Sequence, residues 1–560
     1  MNEVITMPEP SNQKSSPSDS LSADSGHRSP QRASAAESPA VPEKVTEAPS
    51  TEVFAVYGVE PEIQAYAMAK YSRSALSMKE SLREISAQKA EKFLNTFYFQ
   101  YGHRSIADLA HVALAVERLS ILAAIELADE QRWDGQERST RYQDFKKSGY
   151  YIPDFGAGGR DNDEARHLYR ETLDSLFAEY DALSEHMTQH LISITPKPAD
   201  MKQEQYERTL KARAFDITRY LLPLATNTSL GEIVNARTLE TQVAHLLSHT
   251  HKEVRALGGS LKKAATTAAY NVNAESMKKL VEEIRAVNPD LGARAEQELL
   301  HDVRVAPTLV KYADPNPYEM ETRRELRQAA SELMKSEQLA PSKAIVDLLD
   351  EEPLEVEIAT TLLYEHCHHS YRQLRHALQV SGERYRREII DLGLRHRGKH
   401  DEMPRPFRAG QQFRFDILMD TGGFRDMHRH RRCIQVMQAF TTQHGYEMLL
   451  DVEDAGMRHR YDAAMRRAQS AVEKLAARPA PEAEENSQYA IPLAYRKRAL
   501  FKMDFAEVVY ISELRTTPAG HVSYRNVAYA MYEAVARKYP ALAKYFRVHD
   551  VTAPVDLLQR

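Results

Sequence analysis

The sequence predicts a helix-rich α+β protein that consists of two tandem repeats packed as a pseudo-dimer. Two segments carry this prediction. VFAVYGVEPEIQAYAMAKYSRS begins at Val53, and IVDLLDEEPLEVEIATTLLYEHC begins at Ile345. Each segment combines a short apolar run, a turn that contains Glu and Pro, and an amphipathic helical pattern. A chain of 560 residues is also long enough to form two hydrophobic cores.

Composition and pattern divide the chain into four parts. Residues 1–50 are rich in Ser, Pro and Ala and lack aromatic side chains. Such a segment cannot offset the entropy of ordering, so we predict a disordered tail. The first repeat is predicted at 51–280 and the second at 344–560, with a helical connector at 281–343 between them.

Hydrophobic periodicity assigns the main elements. Residues 105–134 are predicted as one long helix, because apolar residues recur at intervals of three and four and form a core-facing stripe. That stripe consists of Ile106, Leu109, Val112, Val116, Leu119 and Leu122. Further helices are predicted at 165–195, 232–270 and 526–537, and FRFDILMD is predicted as a strand.

Charge and cysteine content exclude several classes of protein. The net charge of −6 and the pI near 6.4 argue against binding of a nucleic acid polymer, which needs a basic surface. Cys367 and Cys433 cannot form a disulfide framework, and the first residues lack the apolar core of a signal peptide. No stretch approaches the roughly 18 apolar residues of a membrane helix. We therefore predict a cytoplasmic protein without a membrane segment.

Two short motifs indicate an anion site. Glu137-Arg138-Ser139-Thr140-Arg141-Tyr142 lies in the first half, and Arg429-His430-Arg431 follows the predicted strand in the second. Guanidinium groups bind phosphate through paired N–H donors, and a serine hydroxyl adds a neutral donor. Each motif alone could be structural, since a second triplet, Arg395-His396-Arg397, also occurs. The later triplet is favoured because a strand precedes it.

Together, the two motifs resemble the signature of the flavin-dependent thymidylate synthases. In that family an Arg-His-Arg triplet is followed within the same segment by Ser-x-Arg-Tyr, and here each half of the chain keeps one part. The resemblance extends to a few further positions: Gly102, His103, Ser105, Asp108, His111, Arg219, Asn235 and Arg237 in the first half, and Arg515 in the second.

The losses in the two halves are complementary. The positions that would complete a second site hold Asp129, Glu130, Gln131 and Leu246 in the first half, and Ala439, Thr441, Gln488 and Asp504 in the second. The resemblance implies an active site between two subunits, so a fused pair can lose one site and keep the other. We therefore expect one composite site between the repeats.

The resemblance implies a role for each retained residue. The residues expected to bind dUMP are Glu137, Ser139, Arg141, Arg219, Arg429 and Arg515. Arg429 and Arg515 are also the expected catalytic residues, because their cations would stabilise negative charge that develops on the uracil ring. The residues expected to bind FAD are Ser105, Glu137, Asn235, Arg237, His430 and Arg431.

The implied reaction is reductive methylation of dUMP to dTMP. Methylenetetrahydrofolate would supply the carbon, NADPH would reduce FAD, and the reduced flavin would supply hydride. The expected partners are therefore small molecules, and the expected assembly is a homodimer, in effect a tetramer of repeats. No metal is expected, because the cluster His366, Cys367, His368 and His369 has no carboxylate at clear ligand spacing.

Two alternatives remain. The chain could be a catalytically decayed scaffold that still binds flavin or nucleotide, or a helical interaction protein without a ligand. The second alternative does not explain why the two halves retain complementary sets of motif arginines. Flavin colour separates it from the others, and dUMP-dependent oxidation of reduced flavin separates an enzyme from a scaffold.

Overall fold

Two antiparallel β-sheets, one from each half of the chain, organise the fold. A computed structural model describes residues 54, 56, 58–70, 78–84, 94, 104–156, 159–341, 344–398, 401 and 403–558. The predicted disordered tail, most of the strand-like run that begins at Val53, and the motif residues Gly102 and His103 lie outside these described residues. Residues Gly58–Arg560 form one compact unit.

The first half and the connector contain three strands and ten α-helices among the described residues. The strands are β1 (His111–Ser120), β2 (Trp133–Glu137) and β3 (Asn227–Asn235). The helices are α1 (Pro61–Lys70), α2 (Met78–Glu84), α3 (Ile121–Ala128), α4 (Arg160–Ile194), α5 (Gln203–Thr218), α6 (Ala236–Leu247), α7 (Lys252–Thr266), α8 (Ala274–Val287), α9 (Pro289–Leu299) and α10 (Pro317–Leu333). Short 3₁₀ helices lie at Arg104–Leu109 and Arg219–Leu221.

The second half repeats the order of the three strands of the first. Its strands are β4 (Val346–Leu348), β5 (Phe413–Asp420), β6 (Ile434–Met437) and β7 (Arg496–Met503). Its helices are α11 (Leu354–Tyr364), α12 (Tyr371–Val380), α13 (Gly382–Leu394), α14 (Thr421–Met427), α15 (Leu450–Asp454), α16 (Arg458–Ala476), α17 (Ala483–Gln488), α18 (Phe505–Arg515), α19 (Val522–Lys538) and α20 (Pro540–Ala543). A 3₁₀ helix lies at Arg405–Phe407.

The two sheets have the same strand order. The first sheet is β1-β3-β2, and the second is β4-β5-β7-β6, so β1, β3 and β2 correspond to β5, β7 and β6. All pairs are antiparallel. The short strand β4 lies at the outer edge of the second sheet, and most of the segment that the sequence pairs with it in the first half lies outside the described residues. This arrangement confirms the prediction of a helix-rich α+β fold with an internal repeat.

Reciprocal backbone hydrogen bonds join the halves where RYLLPLAT and QYAIPLAY, two equivalent segments, run side by side. Pro223 forms an antiparallel bridge with its own equivalent, Pro492. The Leu224 N–H donates to Ile491 O at 2.9 Å, and the Leu493 N–H donates to Leu222 O at 3.0 Å. Each bond is the symmetry mate of the other, which is the pattern that a two-fold interface produces. The halves therefore pack as a pseudo-dimer.

The helices that follow β1 and β5 are capped in equivalent ways. Ser120 accepts the Ala123 N–H at 3.0 Å, and Asp420 accepts the Gly423 N–H. Each cap also reaches the first turn of α7 or α19: the Ser120 hydroxyl donates to Glu253 at 2.6 Å, whereas the Ser523 hydroxyl donates to Asp420. The hydroxyl and the carboxylate have exchanged positions between the halves. The hydrogen bond is present in both halves because each pair consists of one hydroxyl donor and one carboxylate acceptor.

The prediction of one helix over 105–134 is wrong. This segment forms the 3₁₀ helix Arg104–Leu109, strand β1, helix α3 and strand β2 in turn. Along β1, Val112 and Val116 are buried while Leu114 is half-buried and paired in the sheet, and Leu109 of the expected stripe is exposed. Apolar residues at three- and four-residue intervals fit a strand here because pairing with β3 decides the conformation.

The predicted helix at 232–270 is wrong in its first part. Residues Asn227–Asn235 form β3, and the Asn235 side chain then caps α6. Helix α5 was not predicted, whereas the predicted helices at 165–195 and 526–537 and the strand FRFDILMD correspond to α4, α19 and β5. The error at β3 arises because helix α6 begins at the residue after β3, so the apolar residues of the strand and of the helix form one continuous pattern.

Apolar side chains from both halves share one core, and a smaller cluster lies between α10, α11, α12 and α13. A core that crosses the interface explains why the halves belong to one compact unit. Across the described ranges, none of the helices has the length and apolarity that a bilayer crossing requires.

Two equivalent buried histidines predict a pH-dependent stability. His251 and His521 precede α7 and α19 and contact the equivalent rings Tyr489 and Tyr220. Burial lowers the pKa of each imidazole to about 3. Below about pH 6.5 these histidines are protonated in the unfolded chain but remain neutral in the folded protein. The free energy of unfolding therefore decreases as the pH falls from about 6.5 toward 3.

When the pH falls from 7 to 5, we expect each of the two histidines to lower the free energy of unfolding by about 2 kcal/mol. Urea unfolding at both pH values checks this. The double variant His251→Gln with His521→Gln should reduce that difference by about 4 kcal/mol, the sum of the two contributions. His167→Gln, at an exposed helix position, is the control and should leave the difference unchanged. An unchanged pH dependence in the double variant would contradict the assignment.

Candidate active site

The segment after β2 faces helix α14 of the other half. Arg425 of α14 forms an ion pair with Glu137 and donates to Thr140 Oγ1 at 3.2 Å. Both side chains of the ion pair are largely buried. The triplet Arg429-His430-Arg431 follows α14 directly, so the two motif parts lie on opposite walls of one cleft between the halves.

Arg141 is held firmly in this cleft. Its Nε and Nη2 donate to the two carboxylate oxygens of Asp216 at 2.8 Å each, and its Nη1 donates to the Tyr524 hydroxyl at 2.8 Å. Burial disfavours the charge on Arg141, but the hydrogen bonds and charge of Asp216 outweigh it and raise the pKa of Arg141. Asp216 therefore occupies the Nε and Nη2 donors of Arg141, the pair that a phosphate would use.

Arg219 lies beside the same carboxylate and is 2 % exposed. Its Nε is 3.6 Å from Asp216, and its Nη1 is 3.7 Å from Asp426 of the other half. Burial disfavours its charge, but the two carboxylates raise its pKa. Among the described residues, Nε and Nη2 of Arg219 have no hydrogen-bond partner. Arg219 is thus a buried cation between two acidic groups.

His430 and Arg515 form a second polar pair, on the opposite wall. The Arg515 Nε donates to His430 Nε2 at 2.7 Å, and His430 Nδ1 lies 3.6 Å from Glu507. Burial lowers the pKa of His430. Because Nε2 accepts the Arg515 N–H, the ring proton of His430 lies on Nδ1. The Arg515 guanidinium lies 5.5 Å from the centre of the Tyr524 ring, so Tyr524 contacts both Arg141 and Arg515.

Arg429 is the exposed member of the triplet and borders two cavities. One is an open groove of about 400 Å³, lined by Arg429, His430, Arg431, Arg432, Glu507, Tyr510, Leu514 and Arg515. The other is a smaller cavity of about 160 Å³ between the halves. Arg429 and Arg431 line both cavities, so their side chains separate the two spaces.

The predicted flavin residues lie at one end of the first sheet. Trp133 pairs with Val234, the neighbour of Asn235, and the Arg431 guanidinium lies 4.8 Å from the centre of the Trp133 ring. Asn235 caps α6 by accepting the Thr238 N–H at 2.9 Å. At the other end of β2, Glu137 begins the segment that leads to Arg141. Strand β2 thus connects the predicted flavin residues to the predicted nucleotide residues.

Ser105 is exposed on the 3₁₀ helix Arg104–Leu109. An ion pair between Asp108 and Arg237, at 3.1 Å, connects that helix to the residues predicted to bind FAD. Ser139 accepts the Arg141 N–H at 3.2 Å with its hydroxyl. The structure thus brings Glu137, Ser139, Arg141 and Arg219 together with Arg429, His430, Arg431 and Arg515, and it links Ser105 to the site through Arg237.

Several residues of the cleft were missed by sequence reasoning: Asp216, Arg425, Asp426, Tyr524 and Trp133. Asp216 could have been found, because it stands one helical turn before Arg219 and can share its charge. Tyr524 and Asp426 carry no local signal, since their partners are distant in sequence and only the fold brings them together.

The equivalent position on the other side of the pseudo-dimer is filled by protein groups. Asp129, which stands where Arg429 stands in the other half, is bound by Arg405 and by His428 at 3.0 Å. Gln131 donates to Cys433 O at 2.9 Å. Glu485, the equivalent of Asp216, lies 3.4 Å from Arg327 of the connector helix α10. The connector and the 3₁₀ helix Arg405–Phe407 thus supply partners to the acidic groups on this side of the pseudo-dimer, the side predicted to be degraded.

The alternative triplet lies at the end of α13. Arg395 and His396 contact Glu325 of α10 at 2.9 and 3.3 Å. Glu321, Glu325 and His396 form the one group in the described ranges whose ligand atoms are close enough for a metal ion, but Glu325 already neutralises Arg395. We assign no function to this triplet.

The chain belongs to the family described as thymidylate synthase complementing protein. Residues 56–269 and 345–541 each match that family, so the motif is duplicated within one chain. The two matches cover the two sheets and the helices that follow them. The sequence-based recognition of the flavin-dependent thymidylate synthase family and of an internal duplication is confirmed.

Relatives of similar length exist. A UPF0159 protein of Chlamydia pneumoniae is 27 % identical and aligns over 91 % of this chain and 93 % of its own length. A UPF0159 protein of Thermoplasma acidophilum is 24 % identical, over 86 % of this chain and 94 % of its own length. A flavin-dependent thymidylate synthase of Clostridium tetani is 26 % identical, over 39 % of this chain and 82 % of its own length. That relative corresponds to one repeat.

A crystal structure of a UMP/dUMP methylase from Streptomyces cacaoi, bound with 5-Br dUMP, is 17 % identical and has a TM-score of 0.27. It covers 36 % of this chain and 84 % of its own chain. The score is too low to support an argument about the site.

Proposed function

We propose that the chain is a flavin-dependent thymidylate synthase that methylates dUMP at one composite site between its two repeats. Methylenetetrahydrofolate supplies the carbon, and NADPH is the reductant. The observation that carries this proposal is the arrangement of the retained motif parts. They come from different halves, yet Arg141 donates to Tyr524 and Arg425 pairs with Glu137 across the same cleft.

The arginines suit a nucleotide monophosphate. Two buried donors of Arg219 have no hydrogen-bond partner within the described ranges. A buried unpaired donor costs about 1–3 kcal/mol, which a phosphate oxygen would recover. Asp216 holds Arg141 and Arg219 next to each other. Substrate phosphate would have to compete with Asp216 for Arg141, so Arg219 is the more available of the two cations.

Arg429 and Arg515 suit the uracil ring. Arg515 is directed by its hydrogen bond to His430 and lines the open groove with Arg429. Two guanidinium groups at the uracil carbonyls would stabilise the negative charge that develops when the ring carbon attacks an electrophile. The neutral His430 would keep the Arg515 Nε in place without adding a positive charge.

The residues near Trp133 suit a flavin. Nη1 of Arg431 is buried and, within the described part of the chain, has no hydrogen-bond partner. Arg237 and Asn235 add a cation and a capped helix N-terminus at the same end of the sheet. When bound, FAD supplies the hydride chemistry that side chains cannot perform. In this proposal Arg431, Asn235 and Arg237 bind and orient the cofactor.

The test is turnover by the purified full-length chain. Protein loaded with FAD and reduced by NADPH without oxygen should be reoxidised when dUMP and methylenetetrahydrofolate are both present, and dTMP should form. Omitting either substrate is the control. A yellow protein that binds dUMP but forms no dTMP would favour the scaffold alternative, and a colourless protein that binds neither ligand would exclude both.

A further inference from the structure

Residues 270–302 form an arm between helices α7 and α10. Within the arm, α8 and α9 pack against each other as a helical hairpin. The two ends of the arm meet at its base, where the Ala269 N–H donates to Val303 O at 2.8 Å and Ala268 forms a bridge with Arg304. The arm lies outside both segments that match the family, 56–269 and 345–541. It is therefore an addition to the two repeats.

The arm shares no hydrophobic core with the rest of the protein. Residues 270–302 are all described, and every hydrogen bond and ion pair that they make with described residues stays within the arm. Val281 is the one large apolar side chain of α8 and α9 that is buried, and it belongs to neither hydrophobic cluster of the protein. Because helices in proteins are stabilised mainly by packing of an apolar face, such a hairpin is marginal by itself.

Helix α8 carries an apolar stripe that α9 does not cover. Leu280, Ile284 and Val287 recur at intervals of four and three residues, so they lie on one face of the helix. Val287 is 89 % exposed and Leu280 is 47 % exposed. Leu291, at the start of α9, is 50 % exposed. Exposed apolar side chains that lie close together mark interaction surfaces, so this face points to a protein partner.

The charges beside the stripe fit a second copy of the same helix. Lys279 precedes Leu280 and Glu283 precedes Ile284, so both charges lie on the same flank, one helical turn apart. Both side chains are exposed, and neither forms an ion pair with a residue that the structure describes.

The order of these two charges selects an orientation. If two copies of α8 are antiparallel about a two-fold axis near Val281, Lys279 of each copy faces Glu283 of the other. In a parallel pair, Lys279 would face Lys279 and Glu283 would face Glu283, and the like charges would repel each other. The helix is therefore complementary to itself in the antiparallel orientation.

From these observations we infer that the arm is a self-association surface, on which α8 packs antiparallel against α8 of a second copy of this chain. Leu280 of both copies lies next to the two-fold axis, and two pairs of Lys279 with Glu283 lie at the flanks. An isologous contact of this kind closes after two copies, so it gives the expected homodimer a definite surface. No residue of the arm belongs to the composite site, so the inference is independent of the proposed function.

Charge reversal tests the pairing between chains. Sedimentation equilibrium of the full-length protein over a concentration series measures self-association. Lys279→Glu and Glu283→Lys should each raise the dissociation constant at least about tenfold, because like charges would then face each other twice in each dimer. The double variant should regain the original constant. An equimolar mixture of the two single variants should regain it as well, since one chain is then acidic at both positions and the other is basic.

Lys278→Glu is the matched control for these reversals. Lys278 carries the same charge one residue away, but it lies on the side of α8 opposite the stripe and pairs with Glu275 of the same helix at 3.5 Å. This variant should leave the dissociation constant unchanged. If it weakens self-association as much as Lys279→Glu does, net charge and not pairing controls the association, and the inference is overturned.

Leu280→Asp tests the apolar contact. A carboxylate next to the two-fold axis should halve the sedimenting mass, because two like charges would be buried against an apolar surface. Val380→Asp, at a 75 % exposed position of α12, should leave the mass unchanged. A monomeric unmodified protein would overturn the inference and assign the arm to a different partner. A dimer that persists in Leu280→Asp and in both charge reversals would also overturn it, because another surface would then join the copies.

Discussion

Arg429→Ala should abolish most dUMP binding and leave the fold intact. Arg429 is exposed, and its side chain forms no hydrogen bond or ion pair with any described residue, so its loss should change the unfolding free energy by less than about 0.5 kcal/mol. Loss of a hydrogen bond from a cation to the substrate should weaken dUMP binding by about 3 kcal/mol, or roughly two orders of magnitude. Calorimetric titration and thermal unfolding measure the two effects.

Arg432→Ala is the matched control. Arg432 is exposed, lines the same groove and carries the same charge, but it lies outside the triplet and pairs weakly with Asp504 at 3.5 Å. Its removal should weaken dUMP binding less than about threefold, since only long-range attraction is lost. Equal losses in both variants would mean that Arg429 acts through the general field of the groove and not through contact.

Asp216→Asn should destabilise the protein and change its response to substrate. Asp216 is 3 % exposed and neutralises Arg141 and Arg219. Removing one partner of a buried ion pair typically costs about 3–5 kcal/mol, because the remaining charges stay buried. The phosphate of dUMP would then replace the missing anion. We expect dUMP to raise the unfolding temperature more in Asp216→Asn than in the unmodified protein.

Glu485→Gln is the equivalent change on the degraded side. Glu485 pairs with the half-exposed Arg327 at 3.4 Å, a contact worth about 1 kcal/mol or less. This variant should lose little stability, and its response to dUMP should match that of the unmodified protein. If dUMP shifts the unfolding temperature of Asp216→Asn no more than that of the unmodified protein, Arg141 and Arg219 do not bind the phosphate.

Substitutions of the arginines and of their equivalents in the other half should also differ in their effects. Arg219→Ala should also abolish dUMP binding, but it removes the cation that pairs with Asp426 and leaves Asp216 with Arg141 alone, so part of its effect will be loss of stability. Thr441→Ala, at the position equivalent to Arg141, should not affect dUMP binding. Arg429 is therefore the cleaner probe of the site.

The sequence predicted the fold class and the two walls of the cleft because both depend on local pattern. The strand FRFDILMD, the helix before the C-terminus and the two arginine motifs can each be recognised within a short segment. The error at 105–134 has a physical cause: the pairing of β1 with β3, more than a hundred residues away in the chain, outweighs the helical spacing of Val112, Val116 and Leu119.

What the sequence could not predict are partners that meet only in the folded chain. The hydrogen bond from Arg141 to Tyr524 and the stacking of Arg431 on Trp133 join residues from opposite halves. The connector was predicted as helical, but its contribution of Arg327 to the degraded side was not foreseen. The roles assigned to the retained residues, and the domain boundaries at 51–280, 281–343 and 344–560, remain predictions.

Loss of one site is physically reasonable in a fused pair. Once both copies share a chain, each side of the interface can change independently. On the side predicted to have lost its arginines, Arg405 and His428 bind the Asp129 carboxylate. On the other side, Arg219, Arg425 and Arg431 each have a buried N–H group that finds no hydrogen-bond partner among the described residues. We therefore expect a dianionic phosphate to bind at the second side and not at the first.

The number of dUMP molecules bound per chain tests the composite site most directly. Calorimetric titration of dUMP into protein saturated with FAD should give one site per 560-residue chain, whatever the oligomeric state. Arg429→Ala should remove that site, and Gln131→Ala on the degraded side should leave it unchanged. Two equivalent sites per chain, or a single site that survives Arg429→Ala and disappears in Gln131→Ala, would contradict the account.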